Sequence, residues 1–373
     1  MKVFLRLAGL AASVLIADRV LTWLFPRHQH GDVSMYNCAK EITQFHDQEV
    51  RLPQSTQDKL REHRKANQSR LKQELAKKGK PPVKEFVKQG SYAMYTINRH
   101  PKNDYDIDDG AAFEKGDLVG PRDADLSPLQ VRQMVRDAID NGSFKQAPEV
   151  RSNCVRVYYH AGHHVDIPVY RICTDDGEDI FLELASSSGW KKSDPRGVTK
   201  WFNDAVISKS PDSANGQQMR RMTRLVKAFA KSRDSWNSPS GFIVSVLVDE
   251  CYEADDERDD LALYNTMRCM NTRLDQDLTI RHPVLDEDLT KTSDDACMRE
   301  FRERLSQALD DLEILHDEGN CSRKAALKAW KKVFNHSFFD DKIEENSGLR
   351  TGGLAAGGAP SGPVEKGGNS RFA

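Results

Sequence analysis

The chain has 373 residues, enough for one large domain or for two fused lobes, each with a core of its own. With 38% hydrophobic and 30% charged residues it has the composition of a soluble globular protein, which excludes a largely disordered or membrane-embedded chain. A net charge of -2 gives no global pull toward nucleic acid, so a polyanion has to find a local patch.

The N-terminal segment MKVFLRLAGLAASVLIADRVLTWLFPRH is the one stretch suited to membrane contact. Its longest uncharged run, residues 7–17, is about half of the roughly 20 residues that span a bilayer, and Asp18 and Arg19 then interrupt the apolar stretch. Arg6, Asp18 and Arg19 fall on different sides of a helix, which leaves no clean polar face for lying on a surface. Residues 1–34 are therefore read as an apolar extension with Met35 as an alternative start, and peripheral membrane contact through residues 1–25 stays open.

From 36 to 75 the pattern is helical and strongly charged, ending at the breaker KKGKPP. Basic residues outnumber acidic ones here, among them Arg61, Arg64, Lys65, Arg70, Lys72 and Lys77; the plain reading is a solvated helix face, and the alternative is a phosphate-facing patch. Residues 83–184 change character. Short β-type segments occur at KEFVKQ, YDIDDGAAF, NCVRVYYH, HHVDIPVYRI and DIFLEL, with one helix around LSPLQVRQMVRDAID, which predicts an α+β lobe built on a mixed sheet.

The chemistry concentrates in this lobe. Gln89-Gly90-Ser91 is followed by Asp104-Tyr105-Asp106-Ile107-Asp108-Asp109-Gly110. On a strand, Asp106 and Asp108 share a face about 6 to 7 Å apart while Ile107 turns into the core. Two carboxylates so placed can bridge a pair of hard cations, and Asp166, in the apolar strand HVDIP, is the candidate for the third ligand. An unpaired charge there would be expensive, and a cation removes that penalty. Gly90 lets the backbone approach a phosphate, and Ser91 with nearby free amides can hold one. A calcium loop is the main rival, but its register fails: position 6 would be Asp109 instead of glycine, and position 12 would be Lys115 instead of glutamate. His163 and His164 read first as satisfied structural histidines, with His164, on the Asp166 face, open to a role supporting a metal ligand; Tyr105 and Tyr158 read first as packing residues, with base stacking by one of them as the alternative.

After Trp190 six segments show apolar residues at three-to-four spacing, from GVTKWFNDAV to SRKAALKAWKKVFNHSFF, and predict an α-helical second lobe. The Gly- and Ala-rich end, residues 346–373, is read as a flexible tail. The expected boundaries are therefore 1–34, a catalytic lobe with its N-terminal helix at 35–190, a helical lobe at 191–345 and the tail. Seven scattered cysteines, with no C-x-x-C pair and no zinc spacing, are read as reduced thiols.

Taken in order, GSYAMYT, DYDIDDG, HVDIPVY, SDPRGVTKWFNDAV and RLVKAFAKSRDSWNSPSGF resemble the polymerase-β-like nucleotidyltransferases. The resemblance is closer to the bacterial relatives of the animal DNA sensor cGAS, the CD-NTases of CBASS anti-phage systems. It implies a nucleotidyltransferase lobe and a helical lobe with the active site in the cleft between them. It further implies two Mg²⁺ ions, replaceable by Mn²⁺, on Asp106, Asp108 and Asp166. One ion would activate the acceptor hydroxyl and the other would neutralise the leaving pyrophosphate.

Lys227 and Ser240 are implied as grips on the donor triphosphate, beside Gln89, Gly90 and Ser91; without the family, Lys227 reads as an exposed helix lysine. The implied activity is synthesis of a cyclic di- or trinucleotide from NTPs, ATP among them, in the bacterial cytoplasm. The alternatives are linear oligonucleotides, transfer to RNA or protein, or a catalytically silent nucleotide-binding protein. A regulatory partner protein and conjugation through Ala373 are also compatible with the resemblance. The zinc insert of the DNA sensors has no counterpart, so DNA sensing is not implied.

Overall fold

The computed structural model describes residues 35–99, 106–120, 123–159, 162–174, 180–213 and 216–348, without the side chains of 106 and 346–348. The apolar extension 1–34, Asp104, Tyr105 and Ala373 lie outside the described residues. From Tyr36 onward the described chain is one compact unit. Among the described residues, no helix is long and apolar enough to cross a membrane.

The segment expected as one helix over 36–75 is two. Helix α1 spans Ala39–Phe45 and runs on through a wider turn at His46–Val50; α2 spans Gln54–Lys77. The break falls at Arg51–Pro53 because proline pushes the residue before it into extended backbone and cannot donate a helical hydrogen bond. The basic side chains of α2 are largely occupied. Arg61 pairs with Asp58, Lys77 with Glu74 and buried Arg64 with Asp109, while Arg70 lies over Phe144 and Lys72 over Phe86.

Eight described strands form one mixed sheet: β1 Glu85–Gln89, β2 Asp106–Glu114, β3 Glu149–Val150, β4 Val155–Tyr158, β5 His164–Ile167, β6 Val169–Thr174, β7 Ile180–Ser186 and β8 Gly189–Ser193. Their order is β3-β4-β5-β2-β6-β7-β8, with β1 pairing β2 on its other side. HHVDIPVYRI, expected as one strand, is two: Pro168 interrupts it, so β5 runs parallel to the start of β2 and β6 to its end. Strands β3 and β8 are too short or too polar for the pattern to show.

One sheet face is covered by α2 and by α4 (Pro128–Ile139), the latter started by a Ser127–Gln130 capping box. Leu71, Leu75, Ala111, Phe113, Val131, Val135, Val155, Val157, Val165 and Ile167 close this core. The opposite face of the same strands is left for His164, Asp166 and Asp108 by the two-residue alternation. At roughly 25 cal/mol per Å², each large apolar side chain buried here contributes about 1.5–3 kcal/mol, enough to fix the register that aims the carboxylates.

Between β1 and β2 lies a single turn of helix, α3, at Gly90–Ala93. The helical lobe continues as α5 Pro195–Lys209, α6 Gln218–Ala230, α7 Gly241–Cys251, α8 Asp259–Gln276, α9 Ala296–Leu312, α10 Arg323–Phe334 and α11 Phe338–Gly348. The last two were expected as one helix; Asn335, at φ 50°, turns the chain between them. The buried face of α6 carries Met219, Met222, Leu225, Val226 and Phe229, and its Arg221 is held by Asp259 and Asp212. All seven cysteines are free thiols; burial pushes those of Cys38 and Cys154 upward, and a hydrogen bond with Cys269, then burial, does the same to Cys251.

Candidate active site

Strand β2 positions the first carboxylates. Ile107 is fully buried against Leu52 and Leu60, which anchors the strand from below and leaves Asp108 on the other face. The parallel pairing of β2 with β5 sets Asp106 beside His164 and Asp108 beside Asp166, so Asp108 and Asp166 are in register on neighbouring strands. Asp106 stands two positions before Asp108 on the same strand. The antiparallel pairing of β1 with β2 brings Gln89 opposite Asp108, where its Oε1 accepts from the Tyr170 hydroxyl at 2.7 Å. Gly90 then turns away at φ 63°, and a methyl group there would run into Oδ2 of Asp108. The glycine is therefore required twice, for its backbone angle and for the space the carboxylate occupies.

Asp166 is 6% exposed, and it is not bare. Arg156, directly opposite on β4, donates from Nε to Oδ1 and from its terminal nitrogen to Oδ2, both at 2.8 Å. Sequence reasoning did not single out Arg156; pairing NCVRVYYH with HVDIP as a hairpin would have exposed it.

Asp109 was not singled out either. This side chain points to the core face, 2% exposed, where it accepts from Gln68 at 2.8 Å and faces Arg64 at 3.5 Å, both on α2. Burial pushes its carboxyl up to about 6, against the pull of Gln68 and Arg64.

His163 is a structural residue, as expected. Its Nε2 lies 2.7 Å from Nδ1 of His63, and both rings stack in line with Tyr159. Burial and the neighbouring His63 push His163 down to about 4, which keeps it neutral near pH 7. His164 is buried on the Asp166 side, between Asp106 and Tyr158 in register. The Tyr158 hydroxyl accepts from Arg151 and donates to Glu149. A separate cavity of about 810 Å³ is lined, among the described residues, by Arg70, Lys145, Tyr158 and Tyr159 and by none of the described residues expected to be catalytic or nucleotide-binding.

The helical lobe closes on the loop after α3 through one face of α6. Arg220 donates to the Met94 carbonyl, Arg224 to the Tyr95 carbonyl, and Lys227 Nζ to Thr96 Oγ1 at 2.9 Å. Thr96 in turn donates its amide to the Ser91 carbonyl at 2.8 Å. Lys227 is thus tied to the Gly90–Ser91 turn and is not the exposed lysine that composition alone suggests. On its other side it touches Gly241, where an added methyl would sit 3.3 Å from its Cε. Ser240 caps α7 by accepting from the Ile243 amide at 3.2 Å. Desolvation first, then Arg224, push the Lys227 ammonium down to about 7. Of the expected residues, Gln89, Gly90, Asp108 and Asp166 come together, and Thr96 links Lys227 to the Ser91 carbonyl; Ser240 directly precedes Gly241, the glycine at Lys227.

Among the described residues there is no cluster of three or more metal-ligating side chains. The described donors, Asp108 and Asp166, are two hard carboxylates in register on neighbouring strands, which suits Mg²⁺ or another oxygen-seeking cation.

Residues 84–170 match the model of the "Cyclic GMP-AMP synthase DncV-like, nucleotidyltransferase domain" family. The segment that carries the carboxylates is thus similar in sequence to DncV-like nucleotidyltransferase domains. The chain is 25% identical over 240 residues to a cyclic GMP-AMP synthase of Escherichia albertii, a match over 61% of this chain and 50% of the relative. Identity is 23% over 190 residues to a c-di-GMP synthase of Roseivirga ehrenbergii, over 45% and 49%. The chain thus spans about half the length of the curated relatives it matches. The fold is shared with the Vibrio cholerae dinucleotide cyclase DncV solved with ATP and GTP, at TM-score 0.65, 17% identity and coverage of 83% and 98%. It is shared likewise with the Bradyrhizobium diazoefficiens CD-NTase CdnG solved with GTP, at TM-score 0.63, 14% identity and coverage of 82% and 97%. These architectures agree with the mixed sheet and helical lobe described above.

Proposed function

We propose that this chain joins nucleoside triphosphates, ATP among them, into a cyclic di- or trinucleotide with release of pyrophosphate, as a signal in anti-phage defence. The observation that carries the reading is the register of Asp108 with Asp166 beside the Gly90 turn, within a domain homologous to cyclic dinucleotide synthases. Asp106, Asp108 and Asp166 would hold two Mg²⁺ ions, for which Mn²⁺ can substitute. When bound, such ions lower the pKa of an acceptor hydroxyl and neutralise charge on the leaving pyrophosphate.

The chain's own part is position and charge. The Gly90 turn admits phosphate oxygens close to the backbone, with Ser91 and Gln89 at its flanks. Lys227, partly stripped of water and held at Thr96, is poised to give its ammonium to a triphosphate, where the anion restores the charged form. Ser240, which caps α7 one residue before Gly241 at Lys227, would turn its hydroxyl to the same triphosphate. The tie from α6 through Thr96 to Ser91 makes both lobes grip one donor nucleotide.

Incubation with labelled NTPs and Mg²⁺, then treatment with phosphatase, tests the proposal. A small labelled product that survives phosphatase supports cyclisation, because a ring has no terminal phosphate. Trimmed products would mean linear oligonucleotides, label on macromolecules a transfer to RNA or protein, and no product a silent nucleotide-binding protein.

A further inference from the structure

Three strands present a row of charge on the active face: Asp108 on β2, Asp166 on β5 and Arg156 on β4, each in register with the next. Residues directly opposite in neighbouring strands share a face, and Val155 and Val157 on either side of Arg156 are fully buried in the core below. The guanidinium is therefore built into the sheet, with 25% of its side chain exposed and that of its carboxylate partner 9% exposed. Its side-on fork uses one hydrogen bond per Asp166 oxygen, the geometry in which arginine fixes a carboxylate plane most firmly.

This placement has two effects. The fork locks the rotamer of Asp166 and offsets its repulsion with Asp108. It also puts a fixed positive charge next to the place where divalent cations would bind, and like charge opposes them.

We propose that Arg156 is a positioning residue with both effects: it holds Asp166 in its ligating orientation, and it keeps the affinity of the nucleotide-free site for divalent cations low, so that the ions enter with the polyphosphate. This rests on the nucleotidyltransferase reading of the site. Arg156 touches neither substrate nor reacting atoms in this role and acts through Asp166.

The test measures Mn²⁺ binding to the nucleotide-free protein, together with thermal stability and steady-state kinetics, for the full chain and for Arg156→Gln, Arg156→Lys and Asp166→Asn. Arg156→Gln removes the charge and should bind Mn²⁺ several-fold more tightly. Its kcat should fall by about tenfold or more while KM for the NTP holds within about twofold, the size typical of losing a ligand's supporting hydrogen bonds. Arg156→Lys should return Mn²⁺ affinity toward the parent value yet keep the low kcat, since a point charge cannot reproduce the fork. Adding Asp166→Asn to Arg156→Gln should erase the gain in Mn²⁺ affinity. A merely structural role would lower thermal stability, Mn²⁺ affinity and kcat together, and that result overturns the proposal. So does an Arg156→Gln protein unchanged in both Mn²⁺ affinity and kcat. If the parent protein forms no nucleotidyl product, the functional reading fails, and the Mn²⁺ titration alone still decides the effect of Arg156 on the cation site.

Discussion

Replacing Lys227 by methionine should make the protein more stable and less able to bind its substrate. The folded chain holds this ammonium at about 7 against an ordinary 10.5, so the charged form is disfavoured in the fold. At 1.36 kcal/mol per pH unit this corresponds to about 5 kcal/mol, an upper bound. The side chain keeps part of its surface in solvent, and discounting for screening leaves about 1–2 kcal/mol. For a lysine with a lowered folded value, the cost is fully present below pH 7 and fades as pH rises toward 10.5. Lys227→Met should therefore raise the melting temperature of the nucleotide-free protein by a few degrees at pH 6.5, and by progressively less above pH 8. The stabilisation that ATP confers on the parent protein should largely vanish in the variant. Nucleotide affinity of the parent should weaken as pH rises from 7 to 9, because a neutral amine must take up a proton to meet the triphosphate; the variant should show no such slope. Thermal unfolding with and without ATP and Mg²⁺ across this range measures all three. A Lys227→Met protein that melts lower at pH 6.5, or keeps its full ATP-induced shift, refutes the reasoning.

Asp108→Asn keeps the shape of the strand but removes a ligand charge, and should cut nucleotidyl transfer by about a thousandfold or more with little change in melting temperature; product formation under saturating NTP measures it. Gly90→Ala faces both a positive φ and the Asp108 carboxylate, and should cost about 1–2 kcal/mol in urea unfolding together with most of the activity. Asp109 titrates in the opposite sense to a salt-bridged carboxylate. Its folded value of about 6, already net of the pull of Gln68 and Arg64, lies above the ordinary 3.8, so its contribution favours the fold fully below pH 3.8 and is lost as pH rises through 6, by up to about 3 kcal/mol. Unfolding free energies from pH 4 to 7 should show this loss in the parent and not in Asp109→Asn.

Much of this site was legible because strand alternation is strict. Once DIDDG is a strand, Ile107 must enter the core and Asp108 must leave it, and both do. The same rule, carried one residue further, places Asp109 in the core with Ile107. That step is easily passed over because a run of aspartates reads as a single acidic surface feature, and because its partners Arg64 and Gln68 are forty residues away on α2. Arg156 stayed hidden for a related reason: its role depends on hairpin register, which neither strand's composition reveals. The environment of Lys227 was invisible to helical periodicity, since half-burial against Thr96 and Gly241 is created by the meeting of the two lobes. Element boundaries failed where a proline or a left-handed residue, Pro53, Pro168 and Asn335, cut a segment whose apolar pattern ran on unbroken.

The central claim is that the aspartates of β2 and β5 hold the divalent cations of a nucleotidyl-transfer site. Diffraction from crystals grown with Mn²⁺ and a non-hydrolysable NTP, recorded at the manganese edge, tests it most directly. The expected result is anomalous density bounded by Asp106, Asp108 and Asp166, with the triphosphate reaching from it to Lys227. Manganese bound elsewhere, or nucleotide seated away from the Gly90 turn, would contradict it.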